Sequence, residues 1–320
     1  MAAGDRGYPP ASVCAPLVVL VERRVWFWFR YWELRDGPAD EDNWVRAAYS
    51  DRSLVTRVGP LHADHAGPGD RPEGMPTSSA TLPGLIVQML RHAHVYGGAD
   101  VLDVGTGSGY GCAVLAYRLG SQHVTSVDVD GYLTTVAAEL LADVGLHPQV
   151  MTCDATGRLR GSYDRIVSTV AVRPIPASWL AALRPGGRLV TTITGTALIL
   201  TADKTDDGGA IGSIEWDRAG FMHTRTGTDY PRGLREEFAV VREADGDRVS
   251  VGRYPVVNVV QAWEIWSMLG IVAPGIEHHY QQEDDGRRTA WVLHPDGSWA
   301  RATSADGAAP IIHQSGPRRL

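Results

Sequence analysis

The stretch Val101-Leu-Asp-Val-Gly-Thr-Gly-Ser-Gly-Tyr110 ends an apolar run on an acid and then sets glycines at 105, 107 and 109. Such a run predicts a buried parallel strand, and the glycines after it permit positive φ and bring backbone N–H groups against a ligand. The dinucleotide fingerprint needs glycine at the first, third and sixth positions, whereas the sixth residue counted from Gly105 is Tyr110. An acid, Asp103, before an alternating glycine turn suits instead a ligand with a cation and no phosphate, such as S-adenosylmethionine with its ammonium and sulfonium. Gly105, Thr106, Gly107, Ser108 and Gly109 are therefore expected to grip that cofactor, with Asp103 facing the same crevice.

Two further acids follow at strand-like positions. Asp128 closes His123-Val-Thr-Ser-Val-Asp128, about 20 residues past the glycines, where a carboxylate accepts hydrogen bonds from ribose hydroxyls. Val129 stands beside it. Asp154 closes Gln149-Val-Met-Thr-Cys-Asp154, placed to accept from the adenine amino group while Ala155 leaves room beside the ring. Three acids at three strand ends converge on the crevice where open α/β sheets bind ligands. The structural alternatives are that Asp128 caps the helix starting near Tyr132 and that Asp154 caps a turn through Gly157.

The elements that must position these residues alternate strand and helix from about Pro83 to Phe221, the pattern of a doubly wound, mainly parallel α/β sheet. Helices are predicted over Leu82 to Val95, Gly109 to Leu119, Tyr132 to Val144 and near Pro176 to Leu183. A fourth strand is predicted over Tyr163 to Thr169 and another over Arg188 to Thr194, with Arg184-Pro-Gly-Gly187 as punctuation before it. The Gly-, Pro- and His-bearing stretch from Gly59 to Gly74 reads as a flexible approach to a Ser/Thr-rich loop, Met75 to Pro83, that covers a site. Beyond Thr226, Thr289 to Ala300 reads as a hairpin around Pro295-Asp-Gly297, with Trp291 and Trp299 packed across it. The division expected is an aromatic N-terminal segment and cover loop at 1–74, a cofactor-binding domain at 75–226 and a small α+β module at 227–320.

With 320 residues, 44% of them hydrophobic, the chain is long enough for one full domain and a smaller one. A net charge of -7 and a pI near 5.9 argue against a nucleic-acid partner. Three cysteines, Cys14, Cys112 and Cys153, form neither a disulfide framework nor a zinc motif, which fits a reducing cytoplasm. The apolar run Ala15 to Val21 is too short to span a bilayer, so no membrane partner or targeting segment is expected. His62-Ala-Asp-His65 and His278-His279 are expected to be solvent-facing loop histidines, with no metal site. Arg23-Arg-Val-Trp-Phe-Trp-Phe-Arg-Tyr-Trp32 interleaves arginine with aromatics and reads as packing first, peptide recognition second.

In order, Ala48-Tyr-Ser-Asp51, Thr77 to Pro83 before a helix, the Asp103-to-Gly109 turn, Asp128, Asp154, Tyr163-Asp-Arg-Ile166 and Pro185-Gly-Gly187 resemble the protein L-isoaspartate O-methyltransferases. The resemblance runs from about Trp44 to Arg225 and implies a Rossmann-like methyltransferase fold binding S-adenosylmethionine. It also implies a substrate carboxylate oriented by hydroxyls, with Thr81 best matched to the family's loop serine and Ser78 and Ser79 as further candidates. Thr169 is expected on the cofactor, and Tyr49, Asp51, Val170, Ala171 and Val172 on the border of the substrate pocket. The chain departs from the family in having Thr81-Leu82-Pro83 where Ser-Gln-Pro or Ser-Ala-Pro is usual, and in its two additional ends.

Those ends resemble the branch that accompanies ribosomally made lanthipeptides, lasso peptides and graspetides. The resemblance then implies esterification of an ordinary aspartate in a cyclised or threaded peptide, leading to aspartimide and isoaspartate. A carboxylate is already a nucleophile at neutral pH, so the expected work is positioning and desolvation, with no strong base. The alternatives are an isoaspartate repair enzyme acting on isoaspartyl peptides and a non-catalytic peptide-binding module on the same fold. A monomer or weak dimer is expected in each case.

Overall fold

The computed structural model describes residues 18–26, 29–36, 41–225, 227, 230, 233–259, 261–305 and 308–320. Cys14, the start of the apolar run at Ala15, Phe27 and Trp28 of the aromatic segment, and Thr226 lie outside the described residues. The backbone forms two units, one of residues 1–193 and 198–230, the other of 194–197 and 231–320.

The first unit opens with the strands β1 (Val18–Trp26) and β2 (Phe29–Asp36), which pair antiparallel, and helix α1 (Glu41–Ala48). Strands β3 (Leu54–Val58), β4 (Leu61–His62) and β5 (Pro76–Ala80) complete a five-stranded sheet in which β3 pairs with β1, β4 and β5. The Ser/Thr-rich stretch expected as a loop is therefore a strand. Its backbone pairs antiparallel with β3, with a register shift on either side of Arg57. The approach to it is also fastened: Ala63 is buried and Trp32, packed with Val58 and Ala63, donates its indole N–H to the Gly74 carbonyl at 3.1 Å.

The same unit contains a seven-stranded sheet that follows the α/β reading. After α2 (Pro83–His92) come β6 (Val101–Val104), α3 (Tyr110–Leu119), β7 (Val124–Asp128), α4 (Gly131–Asp143), β8 (Gln149–Thr152), β9 (Tyr163–Val172), α5 (Ala177–Ala182), β10 (Leu183–Ile193), β11 (Leu198–Lys204) and β12 (Ala210–Arg218). The strand order is β12-β11-β10-β9-β6-β7-β8, parallel from β10 to β8 and antiparallel at β11 and β12. Both faces are covered. Val101 packs in one cluster with Met89, Cys112, Leu115 and Leu141 from three helices, and its neighbour Leu102 packs in the other with Trp179 of α5 and Ile166. That alternation is what a strand buried on both sides requires. Arg184-Pro-Gly-Gly187 lies inside β10 rather than before it. The register with β9 jumps between Leu183 and Arg188, and Gly186 takes φ 71° there. The Gly-Gly punctuation is thus a bulge in a continuous strand.

The second unit is an antiparallel sheet of β13 (Arg248–Val251), β14 (Glu277–Gln282), β15 (Arg288–Leu293), β16 (Trp299–Ser304) and β17 (Ile311–Ser315), ordered β13-β17-β16-β15-β14, with α6 (Arg235–Val241) and α7 (Trp263–Val272). Trp299 stands opposite Leu293 across the β15–β16 hairpin, and these two share a buried cluster with Trp291 and, from α6, Phe238 and Val241. His278 and His279 lie on β14, not on a loop. His279 stacks on Phe238 with ring centroids 3.7 Å apart, and His278 lies 4.3 Å from the Trp266 ring.

Candidate functional site

Strand β6 runs to β7 and β8 on one side, while β9 returns to pair with β6 on the other, so the order reverses between β6 and β9. Ligands bind outside the carboxyl ends of strands at such a switch point. Asp103 is on β6 at that end, but it lies behind the turn and is 2% exposed rather than open to the crevice. The β6–β7 register sets it opposite Ser126, whose hydroxyl donates to Asp103 Oδ2 at 2.7 Å and lies 2.7 Å from Thr106 Oγ1. Burial drives the Asp103 carboxyl up to about 7, against the Ser126 hydrogen bond and with the help of the Asp128 charge.

Gly105, Gly107 and Gly109 take φ of 98°, 51° and 85°, the left-handed backbone for which glycine is suited. A Cβ on Gly105 would stand 2.9 Å from Thr169 Oγ1 and 2.9 Å from Val170 Cγ1, so this turn is packed hard against the end of β9. The amides do not form the open cradle that the sequence suggested. Gly105 donates to Val127 O at 2.9 Å, Gly109 to Thr106 O at 2.8 Å, and Gly107 to Asp128 Oδ2 at 3.0 Å. Because these donors are already committed, the turn has little to offer a pyrophosphate. Ser108 lines a small cleft beside it, together with Gly107, Thr56, His62, Asp64, Tyr132 and the α4 residues Leu133, Val136 and Leu140.

Asp128 holds the glycine turn through Gly107 and accepts from the Asp130 N–H at 3.0 Å on its other oxygen. Each oxygen keeps a lone pair for a further donor. Burial raises its pKa, against the two backbone hydrogen bonds. Val129 beside it is exposed. The helix cap is Asp130, not Asp128: its Oδ1 accepts from Tyr132 N–H at 3.0 Å at the start of α4. Its Oδ2 meets Arg57 of β3 at 2.8 Å and Arg225 at 3.2 Å, with His62 Nε2 at 3.7 Å. Arg57, Arg225 and Ser126 were not singled out in the sequence, and His62 was expected on a solvent-facing loop. The two arginines come from segments far apart in the chain, so no local pattern marks them.

His62 is buried rather than solvent-facing. Burial, then the Arg57 charge, pushes its pKa down, and its ring packs 4.3 Å from Tyr132. His65 is exposed, 4.8 Å from the same ring. At the end of β8, exposed Asp154 accepts from the Thr156 N–H at 2.8 Å and its hydroxyl at 2.6 Å, forming a turn. Ala155 is half-buried and its carbonyl accepts from the Trp179 indole. Thr169 donates to the Gly105 carbonyl at 3.1 Å. Val170 is half-buried beside Gly105, whereas Ala171 and Val172 are 2% and 1% exposed and present little surface to a peptide.

The hydroxyl strand does reach the glycine turn: a Cβ on Gly107 would stand 3.3 Å from the Ser79 carbonyl and 3.9 Å from Ser78 Oγ. Ser78 is buried and accepts from Thr56 Oγ1 at 2.8 Å. Ser79 and Thr81 are half-buried, and neither caps α2. Leu82 occupies the cap position, Asp51 Oδ1 accepts from Gly84 N–H at 2.7 Å and Ser53 Oγ accepts from Leu82 N–H at 3.2 Å. Asp51 thus serves the helix start from another segment, and the Thr81 hydroxyl is left for other use. Tyr49 is 61% exposed just after α1.

Residues 69–217 match the family model described as Protein-L-isoaspartate(D-aspartate) O-methyltransferase (PCMT). This segment is similar to that family. Within it fall the hydroxyl strand, the glycine turn, Asp128 and Asp154; Arg57, His62 and Arg225 fall outside. The chain is 35% identical over 154 residues to the protein-L-isoaspartate O-methyltransferase of Anaeromyxobacter dehalogenans strain 2CP-C, covering 47% of this chain and 64% of that one. It is 31% identical over 138 residues to the enzyme of that name from Ignicoccus hospitalis, covering 41% and 65%. The chain therefore spans somewhat less than two thirds of the length of these relatives. A solved protein-L-isoaspartate O-methyltransferase aligns at 18% identity with a TM-score of 0.48, covering 86% of this chain and 77% of that one. A Plasmodium falciparum structure described as a putative protein of the same type, in complex with S-adenosyl-L-homocysteine, aligns at 15% identity with a TM-score of 0.42, covering 48% and 79%. No helix among the described residues is long and apolar enough to cross a membrane.

Proposed function

We propose that the chain is an S-adenosylmethionine-dependent O-methyltransferase of protein or peptide carboxylates, with isoaspartyl residues as the acceptor. The carrying observation is that a glycine turn with its amides internally bonded, a buried acid behind it and the hydroxyl strand beside it all fall in the PCMT-matched segment. These residues fit the cofactor: the glycine amides are committed, as a ligand without phosphate allows, while Asp128 keeps acceptor capacity at the strand end. Asp128 would accept from the ribose, Asp154 from the adenine amino group beside Val129 and Ala155, and Thr169 would hold the turn at the sulfur end. When bound, S-adenosylmethionine supplies a methyl group on a sulfonium centre open to attack by a carboxylate. Thr81 and Ser79 would donate to that carboxylate and aim it, with Ser78 holding the strand, so that positioning carries the rate. Methylation converts the carboxylate into a neutral ester, from which the following backbone nitrogen expels methanol to close a succinimide.

The relatives favour isoaspartyl acceptors over the ordinary aspartate of a modified peptide. The second reading retains one observation in its favour, a separate unit of residues 194–197 and 231–320 whose sheet and core, all beyond residue 230, lie outside the matched segment. Under that reading the unit recognises a cyclised or threaded ribosomal peptide in the cytoplasm. The test is mass spectrometry of the full chain incubated with S-adenosylmethionine and paired peptides of one sequence, linear isoaspartyl and aspartyl, alongside cyclised aspartyl forms. A methyl gain on the isoaspartyl peptide, then loss of methanol, is expected. Turnover of cyclised peptides alone selects the second reading, and cofactor binding with no methyl gain on any of them leaves a non-catalytic binding module.

A further inference from the structure

We propose that Arg57, Asp130 and Arg225 are positioning residues that set the affinity for the methyl donor, by clamping the β7–α4 turn that presents Asp128. The inference rests on the cofactor reading above and concerns residues outside the glycine turn, one of which, Arg57, is paired with Ser78 of the hydroxyl strand.

Asp128 has two backbone donors in the structure, and one of them is the N–H of Asp130. The place of that N–H is set by what the Asp130 side chain does. One oxygen ties the turn to α4 through Tyr132 N–H, and the other receives two guanidinium groups, from Arg57 at 2.8 Å and Arg225 at 3.2 Å. The three side chains are 4%, 11% and 8% exposed, so both arginines and the carboxylate are withdrawn from water. Buried ion groups of this kind cost desolvation and are weak contributors to net stability, while holding one arrangement against others. Here the arrangement held is the turn carrying the ribose acceptor.

Arg225 also reaches across the crevice. It follows a segment that pairs with the end of β9, where Ala171 N–H donates to Met222 O at 2.7 Å and Thr224 N–H donates to Ala171 O at 3.0 Å. The same guanidinium donates to the Gly227 carbonyl at 2.5 Å. A single side chain thereby joins the β9 rim of the switch point to the β7 rim. Arg57 does the same from the N-terminal sheet, on the strand that pairs with Ser78 and Ser79 of β5. The Asp128 carboxylate is therefore referenced both to the β9 end that packs against Gly105 and to the hydroxyl strand.

The experiment uses the full chain. Binding of S-adenosylhomocysteine is measured by calorimetry, and methyl transfer by steady-state kinetics, for the natural chain, Arg57→Gln, Arg225→Gln, Arg225→Lys and, as a control at the far end of the sheet, Arg184→Gln. Loss of a charged hydrogen bond that holds the turn should weaken cofactor binding and raise KM for S-adenosylmethionine about tenfold or more in Arg57→Gln and Arg225→Gln. The kcat and the peptide KM should stay within about twofold. Arg225→Lys keeps the charge and should recover part of the affinity, and Arg184→Gln should leave it unchanged. If Arg225→Gln does not fold, Arg225→Lys alone still decides, because a lysine cannot span Asp130 and Gly227 and should show a several-fold loss. Unchanged cofactor affinity in folded Arg57 and Arg225 variants overturns the inference and leaves the methyltransferase reading intact. Failure of the natural chain to bind the cofactor overturns both.

Discussion

Two ion clusters of similar composition stand at opposite ends of the parallel strands. At the carboxyl ends, Asp130 joins Arg57, Arg225 and His62. At the amino ends, Arg184 of β10 bridges Asp100 at 2.7 Å and Asp164 at 2.6 Å, and His123 meets Asp100 at 2.8 Å. The first cluster is nearly dry, while in the second Arg184 is 41% exposed and Asp100 36%. Hydrogen bonds from His123 and Arg184 hold Asp100 below the usual carboxylate range, against a small effect of burial. Water screens that lower cluster, so it fastens strand ends at small gain. The upper one has no such screening, and its groups stand or fall together. The difference shows that residue type alone does not say what an ion pair contributes.

The comparison breaks most visibly at Asp130. Asp130→Ala removes the cap of α4 and leaves two buried guanidiniums without their carboxylate, which should cost about 3–5 kcal/mol in urea denaturation. A loss below about 1 kcal/mol would make the two clusters equivalent.

Asp103 sharpens the same contrast through pH. Its carboxyl, raised to about 7, keeps its proton between pH 4 and 7 while the unfolded chain has released it. Stability should therefore fall as pH rises through that window. Asp103→Asn, neutral throughout, should gain on the natural chain over the same window, by on the order of a few kcal/mol at pH 7. Parallel pH profiles for the two proteins would count against a protonated Asp103.

Thr81→Val tests whether the hydroxyl strand belongs to the chemistry at that end. It should lower kcat roughly 10–100-fold, the worth of a hydrogen bond to a charged group, with cofactor affinity unchanged. The smallest effect is expected below, where Arg184→Gln should cost no more than about 1 kcal/mol and less still in high salt. Melting measured in low and high salt checks it, and a salt-insensitive loss of several kcal/mol would erase the distinction between the ends.

Much of this site was legible along the chain because its signals are local. The alternation of buried strands with amphipathic helices, the positive-φ glycines at 105, 107 and 109 and the acids closing β7 and β8 each depend on neighbours within a few residues. The Ser/Thr stretch was misread as a loop because its partner, β3, lies some twenty residues away in sequence and the pairing, not the small side chains, makes it a strand. His62 was misread for a similar reason, since Tyr132 and Asp130 bury it from a distant segment.

By itself, then, the amino-acid order determined the strand that ends at Asp103, the turn that only glycine can make and the spacing of the carboxylates, since backbone sterics and periodicity act at short range. Tertiary structure alone decided which amides are free, that Asp103 sits behind the turn rather than in the crevice, that Asp51 and not Thr81 serves the start of α2, and that Arg57 and Arg225 meet at Asp130. Those outcomes depend on burial and on hydrogen bonds between segments, which only the folded chain brings within reach.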